Sequence, residues 1–418
     1  MLNEKIDKNY IYLLNNNKNN ESKLEIKIYI KLNEDCANKL NEYKNKITPY
    51  FNNKLWDLLK KFTNPYEFIY SPNTPIDIGE NKRIYNSVVN IKPISRSYFK
   101  LWEILYDMNN KISKIFDKDK NIYSAHIAEG PGGFIECFAD YTNQKYNYNK
   151  KLYGITLLSK NNKIPKWRFK KNYLIENNIN LNYYKENDGN LYNINNIDYF
   201  INKIGCHKCN FCTADGGFDF SSNYNTQEND FILFLICEIY LILNLLKNEG
   251  NCVIKIYDTF NYNSIKILDI LNKLFKNIYF IKPYTSRPAN SEKYLFCYSF
   301  LLNNNEIFLN NCLNNLRKII ILKDFKLLKK NVSEKLLSSI SNYNIIYMKK
   351  QIEIINDTLN FIEKYNNLKI SNNKISNTIS NNNFNNKNLI DLLDNKYKTN
   401  LIKIEEWCKN YEMNYSLI

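Results

Sequence analysis

Apolar and polar positions change rhythm several times along this chain of 418 residues. Residues 24–32 alternate leucine and isoleucine with mostly charged partners, a period of two that predicts a strand. Residues 36–62 carry apolar side chains at helical spacing and predict one or two helices. The pattern breaks at Asn64-Pro65-Tyr66-Glu67, since proline disfavours helix at the residue before it. A helix is expected over 94–111, with Phe99, Trp102, Leu105 and Tyr106 on its core face and Ser95, Arg96 and Lys100 near its start. From there short apolar runs alternate with helical patterns. Strands are expected at 124–128, 151–157, 181–184, 211–214, 252–257, 278–281 and 293–302, and helices at 134–141, 231–246 and 264–275. This alternation predicts a mostly parallel sheet of seven strands with helices on both faces. No helical pattern joins the last two strands, so an antiparallel closing strand is expected.

Residues 303–370 return to Leu, Ile and Phe at helical spacing. Residues 371–387 are rich in Asn and Ser and read as a mobile loop or linker, and 389–417 as a short amphipathic tail. The expected organisation is an N-terminal extension (1–75), an α/β domain (76–302) and a helical C-terminal extension (303–418).

Composition adds a partner class. Lys and Arg number 58 against 42 Asp and Glu, a net charge of +16 that suits a polyanion. Enrichment in Asn, Lys, Ile and Tyr, as an AT-rich genome produces, accounts for the same charge in a second way. Bases stack on aromatic rings, so RNA contact would draw on Arg96, Arg287, surface lysines and some of the 34 tyrosines. The ten cysteines are scattered and no signal peptide opens the chain, which points to a reducing, cytoplasmic setting. The most apolar run, 231–246, is interrupted by Glu238 and too short to span a bilayer, so it reads as a buried helix and no membrane partner is expected. Cys206-His207-Lys208-Cys209-Asn210-Phe211-Cys212 has the look of a zinc cluster, but Cys212 falls inside a strand, and no metal is expected.

Between the 124–128 strand and the next helix stands Glu129-Gly130-Pro131-Gly132-Gly133-Phe134. Glycines at such a junction let the backbone turn tightly and approach a ligand that a Cβ would block. Four charged residues stand at strand ends or on the helix before the sheet: Lys100, Asp215, Lys255 and Glu292. Lys255 lies inside an apolar strand. Burial and the Lys100 cation are expected to lower its pKa toward neutrality, with Asp215 and Glu292 limiting that depression. A lysine so tuned can serve as a general base. An ordinary buried ion-pair network would leave the same residues in the sequence.

Taken in order, Ser95-Arg96-x-x-Phe99-Lys100-Leu101, Pro131-Gly132-Gly133-Phe134, Asp215-Gly216-Gly217, Lys255-Ile256 and Lys282-Pro283-x-Thr285-Ser286-Arg287-Pro288-Ala289-Asn290-Ser291-Glu292 resemble the FtsJ-like ribose 2′-O-methyltransferases. The Thr-Ser-Arg-Pro ending and the Asn-Pro-Tyr-Glu element are similar to the cap-specific messenger-RNA branch, and the resemblance covers roughly residues 50–302. It implies a Rossmann-like fold, S-adenosyl-L-methionine as methyl donor, and a catalytic tetrad of Lys100, Asp215, Lys255 and Glu292. Lys255 would activate the ribose hydroxyl while the other three tune it and position the nucleotide. The turn Gly130, Pro131, Gly132, Gly133 and Phe134 would meet the methionine and ribose portion of the donor. Thr156, Leu157 and Asp188 would border its ribose and adenine, with Asp215 nearby. Arg96, Arg287, Asn290 and Ser291 would meet capped RNA. Association with other capping or transcription proteins is a further implication. So is a cytoplasmic location such as a viral factory or virion, with the nucleus left open.

The sequence departs from the family at three places. His126 stands where many relatives have an acid, Glu129 occupies a usually small position, and the second strand lacks a terminal acid. An FtsJ-like ribosomal or transfer RNA enzyme, or a non-catalytic RNA-binding scaffold that kept the fold, are the alternative readings. The presence of all four tetrad residues counts against the scaffold.

Overall fold

The computed structural model describes residues 11–14, 23–50, 55–71, 74–78, 81–112, 115–116, 121–146, 149–182, 187–218, 223–303, 305–328, 331–376 and 382–416. In chain order the elements are β1 (Ile11–Leu13), α1 (Lys23–Asn45), α2 (Leu55–Thr63), β2 (Thr74–Ile78), β3 (Asn81–Tyr85), α3 (Ser97–Ile112) and β4 (Asn121–Ile127). There follow α4 (Gly133–Lys145), β5 (Asn149–Ile155), α5 (Lys171–Glu176), β6 (Ile179–Leu181), α6 (Ile194–Ile204), β7 (Cys209–Ala214) and α7 (Gln227–Leu245). The chain continues through β8 (Leu246–Ile256), α8 (Tyr262–Leu274), β9 (Phe275–Ile281), β10 (Lys293–Phe300), α9 (Glu306–Leu322), α10 (Glu334–Ser376) and α11 (Asn382–Asn410). They fall into two compact units. The first comprises residues 1–37, 93–283 and 291–346, the second 38–92, 284–290 and 347–418.

The first unit is built on a sheet ordered β1-β9-β10-β8-β7-β4-β5-β6. β4 pairs in parallel with β5 and β7, and the parallel run extends to β6 on one side and β8 on the other. The chain therefore leaves β4 in two directions, and the crevice at the carboxyl ends of β4 and β7 is a topological switch point. β10 is antiparallel to both β8 and β9 and lies between them. This is the mostly parallel, Rossmann-like sheet expected from the alternation, with one strand more, because β1 adds antiparallel to the β9 edge. Every residue of β7 is buried, as a strand at the centre of a sheet covered on both faces requires. α4 turns Phe134, Ile135, Phe138 and Tyr141 into the core, and the apolar 231–246 run is indeed a buried helix, most of α7.

Two expectations fail. Residues 24–32 belong to α1, not to a strand, and Ile28 of the alternating set is 59% exposed. The buried positions downstream, Asn33, Cys36 and Leu40, follow a helical repeat, and helix propagates cooperatively from them through the alternating stretch. The Asn-rich segment is not one loop: 371–376 end α10 and 382–387 begin α11, while 377–381 lie outside the described residues. Low hydrophobicity argues against a core position but not against helix, which can be continued from its neighbours. The third strand lies at Ile179–Leu181, two residues early, and positions 183 and 184 of the expected strand are outside the described residues.

In the second unit α2, β3 and α11 meet through Phe62, Phe68, Tyr85 and Tyr397, whose rings pack at 4.9–5.9 Å between centroids. Asn400 donates to the Phe62 carbonyl and Tyr85 to Asp394, which ties α11 to both. Among the described residues no helix is long and apolar enough to cross a membrane.

Candidate active site

The glycine turn is held by the strand beside it. The Gly130 N–H donates to Thr156 Oγ1 at 3.0 Å, and Asn182 clasps Thr156 by accepting from its N–H and donating to its carbonyl. The glycines are needed for closeness to protein. A Cβ on Gly132, at φ +120°, would run into the Phe169 ring, and one on Gly133 into the Ser95 and Ser97 hydroxyls. The turn is thus wedged between 95–97 and 165–169, so its glycines also serve close packing against protein. Phe134 is fully buried against Tyr294, so its side chain serves the core and only its main chain is left to the turn. Thr156 is buried and Leu157 is exposed. Asp188 accepts from the Asn190 N–H at 3.0 Å and from Asn196, in the loop whose Asp188 carbonyl receives the Leu158 N–H.

The four charged residues come together. Lys100 on α3 reaches Glu292 Oε1 at 2.7 Å, and Lys255 on β8 lies 3.8 Å from Glu292 Oε2 and 3.2 Å from Asp215 Oδ1. They form an alternating series, Lys100–Glu292–Lys255–Asp215, with all four side chains at most 16% exposed. The fold explains the meeting: Asp215 follows β7, Lys255 ends β8, and Glu292 precedes β10, whose antiparallel direction brings its start to the same edge of the sheet. Lys255 also donates to the Asp215 carbonyl at 3.2 Å.

The electrostatics differ from expectation in one respect. Burial pushes the Lys255 pKa down, but Asp215, Tyr257 and Glu292 outweigh it and leave the ammonium above the usual lysine range. The expected depression toward neutrality is therefore overturned: Asp215 and Glu292, both within 4 Å, prevail over burial. Burial likewise pushes Glu292 up, and Lys100, Lys255 and Lys282 overcome it, so Glu292 is ionised well below the usual carboxylate range. The site thus holds Lys255 as an ammonium and Glu292 as a carboxylate.

Three supporting residues escaped the sequence reading. Tyr294, opposite Lys255 in the β8–β10 register, donates to Asp215 Oδ1 at 2.9 Å. Glu238, the acid that interrupts the apolar run, is fully buried and accepts from the Gly216 N–H at 3.2 Å, which anchors the turn after Asp215. Lys282 is buried and donates to the Glu292 carbonyl. Glu238 had a visible signal, a charge on an apolar helix face. Tyr294 had none among 34 tyrosines.

The residues expected to meet RNA divide between the two units. Arg96 is half-buried at the start of α3. Arg287 makes a two-pronged ion pair with Glu67 at 2.9 and 3.0 Å, within the second unit, where Asn64 also donates to Glu67. The Thr-Ser-Arg-Pro and Asn-Pro-Tyr-Glu motifs are thus two halves of one contact. The Asn290 carbonyl accepts from Tyr347. Ser291 is buried and donates to Asp258, so it belongs to the interior of the first unit. Of the cysteine-rich segment, Cys206 is exposed, Cys209 and Cys212 are buried and His207 stacks on Tyr123. Among the described residues no group of three or more His, Cys, Asp or Glu is arranged to hold a metal.

The family model for FtsJ-like methyltransferases matches residues 93–300. The cap-specific mRNA (nucleoside-2′-O-)-methyltransferase of Autographa californica nuclear polyhedrosis virus is 33% identical over 196 residues, which cover 46% of this chain and 68% of the viral protein. Cap-specific mRNA (nucleoside-2′-O-)-methyltransferase 1 of Drosophila melanogaster is 31% identical over 183 residues, 43% of this chain and 22% of that protein. The Mus musculus protein of the same name is 31% identical over 187 residues, 42% and 21% of the two chains. The chain thus spans about a fifth of the length of these animal relatives.

Proposed function

Because the chain belongs to the FtsJ-like methyltransferase family, we propose that it methylates the ribose 2′-hydroxyl of a cap-proximal nucleotide of messenger RNA. The observation that carries this reading is the buried alternation of Lys100, Glu292, Lys255 and Asp215 at the carboxyl edge of the sheet. S-adenosylmethionine, the family's donor, supplies a methyl group on a positively charged sulfur. The residues present fit such a cation: Glu129 and Glu238 each keep a buried carboxyl oxygen without a hydrogen-bond partner, both close enough to feel the charges of Asp215 and Lys255. The Gly130–Gly133 turn, Thr156 and Asp188 are the groups that would hold the rest of it.

In this reading Glu292 and Asp215 fix Lys255 from two sides, and Lys255 takes the hydroxyl proton. Its ammonium must first lose a proton, which becomes easier as positive charge added beside it offsets the two carboxylates. Most of the rate then comes from holding two substrates in line. Tyr294 keeps Asp215 from swinging away. Tyr294→Phe removes that bond to a carboxylate and is expected to lower kcat about tenfold or more with donor affinity unchanged, as steady-state kinetics beside binding would read.

The test is transfer of a labelled methyl group to two short RNAs, one with a 7-methylguanosine cap and one without. Transfer to the capped RNA alone supports the proposal, and mapping the label separates first from second nucleotide. Equal transfer to both replaces it by a broader RNA 2′-O-methyltransferase, and bound donor without transfer by the scaffold reading.

A further inference from the structure

One buried polar chain is unused by the reaction as described. It starts on β4, where Ser124 and His126 are both fully buried and Ser124 Oγ lies 2.9 Å from His126 Nε2. His126 Nδ1 lies 2.7 Å from Thr213 Oγ1 on β7. Thr213 in turn hydrogen-bonds Glu129 Oε1, and Glu129, 3% exposed, stands immediately before the Gly130–Phe134 turn. Its other oxygen, Oε2, is buried, makes no hydrogen bond and lies 3.4 Å from His126 Nδ1.

Ser124, His126 and Thr213 each give and take one hydrogen along this chain, so the presence or absence of a proton on Glu129 Oε1 gives it two directions. With Glu129 protonated on Oε1, where the proton finds a partner that Oε2 lacks, its O–H donates to Thr213, Thr213 donates to His126 Nδ1, and the ring carries its hydrogen on Nε2, donating to Ser124. With Glu129 ionised every bond reverses: Ser124 donates to Nε2, Nδ1–H donates to Thr213, and Thr213 donates to the carboxylate. A proton on Glu129 Oε1 thus sets the tautomer of His126. Burial pulls the His126 pKa down to about 3, so the ring stays neutral and has only these two forms.

The groups around Glu129 come from every element packed on it. They are His126 on β4, Thr213 and the neutral thiol Cys212 on β7, Asp215 beyond β7, Cys137 on α4, Glu238 on α7 and Lys255 on β8. Burial, and the neighbouring acidic side chains of Asp215 and Glu238, favour the protonated acid. The Thr213 bond and Lys255 oppose them but do not prevail, and the pKa is raised well above the usual carboxylate value.

Resting on the reading that the donor binds at this turn, we propose that Glu129 is the carboxyl group that receives the donor's sulfonium charge. It ionises when the charged donor binds and takes its proton back when the neutral sulfide product remains. The Glu129 O–H bond breaks, one proton goes to solvent, and the His126 hydrogen passes from Nε2 to Nδ1. Two of the three departures read in the sequence, His126 and Glu129, are then parts of one device that favours the charged substrate over the uncharged product.

The chain holds two histidines, His126 and His207, so ¹⁵N imidazole spectra are simple to assign with a His207→Gln control. The full-length protein would be titrated near neutral pH with S-adenosylmethionine, with S-adenosylhomocysteine, and with sinefungin, which carries an amine near the sulfonium position. Calorimetry in buffers of different ionisation enthalpy would count protons. The expected result is a His126 shift from Nε2–H to Nδ1–H, with up to one proton released, for the two charged ligands and neither for S-adenosylhomocysteine. Glu129→Gln should abolish both signals and lose about tenfold in preference for the sulfonium, while S-adenosylhomocysteine affinity stays nearly unchanged and shows that the pocket is intact. Binding of S-adenosylmethionine with no tautomer change and no proton release overturns the proposal. So does an equal response to S-adenosylhomocysteine. Binding of none of the three overturns the donor site itself, and the proposal with it.

Discussion

Lys255→Ala lowers methyl transfer by about a thousandfold or more, the range expected for loss of a positioned acid–base group, while donor binding stays nearly intact. The split follows from the geometry: Lys255 sits among Asp215 and Glu292, whereas the glycine turn proposed to hold the donor is braced by Thr156, Phe169 and Ser95. Equal loss of donor binding would make Lys255 a structural lysine. The pH dependence sharpens the test. Its folded-state pKa is raised, so the protonated form dominates at neutral pH and the free base becomes more abundant as pH rises. If Lys255 is the base, log kcat climbs with a slope near one over roughly pH 6 to 9, before any plateau. Glu292, held well below the usual carboxylate range, stays ionised throughout and contributes no acid limb there. A flat profile with rapid chemistry would leave Lys255 as an orienting ammonium only.

Gly132→Ala is expected to cost about 2–4 kcal/mol of stability, as a positive-φ penalty and an overpacking penalty added together. At φ +120° an L-residue is strained whatever the space, and here its Cβ would also meet the Phe169 ring. Gly205→Ala is the matched control. It too has a positive φ, +66°, but its new Cβ meets nothing nearer than the Asn202 carbonyl at 3.7 Å. The first variant should therefore lose clearly more in urea midpoint than the second, and lose donor affinity as well. Equal losses would mean that Phe169 does not pack on the turn in solution.

Much of this was legible in the sequence. Lys100, Asp215, Lys255 and Glu292 could be picked out because a charge at the end of an apolar strand is conspicuous, and the strand alternation brings such ends to one edge. The protonation state of Lys255 was not legible, because it depends on how near Asp215 and Glu292 lie, and ångströms are set by packing. Residues 24–32 misled because alternation over nine positions imitates a strand even where the helix that follows decides. Arg287 and Ser291 read as RNA ligands, yet Arg287 is engaged with Glu67 and Ser291 with Asp258, partners that sequence distance hides.

The place of β10 carries a consequence for the growing chain. Because this last strand inserts between β8 and β9, a polypeptide that stops before residue 293 would leave those two strands with open, unpaired backbone edges facing one gap. Such edges are templates for pairing with other chains. Glu292 is delivered at the start of the strand that fills the gap, so the segment that completes the charged site is also the one that removes the hazard of aggregation during synthesis.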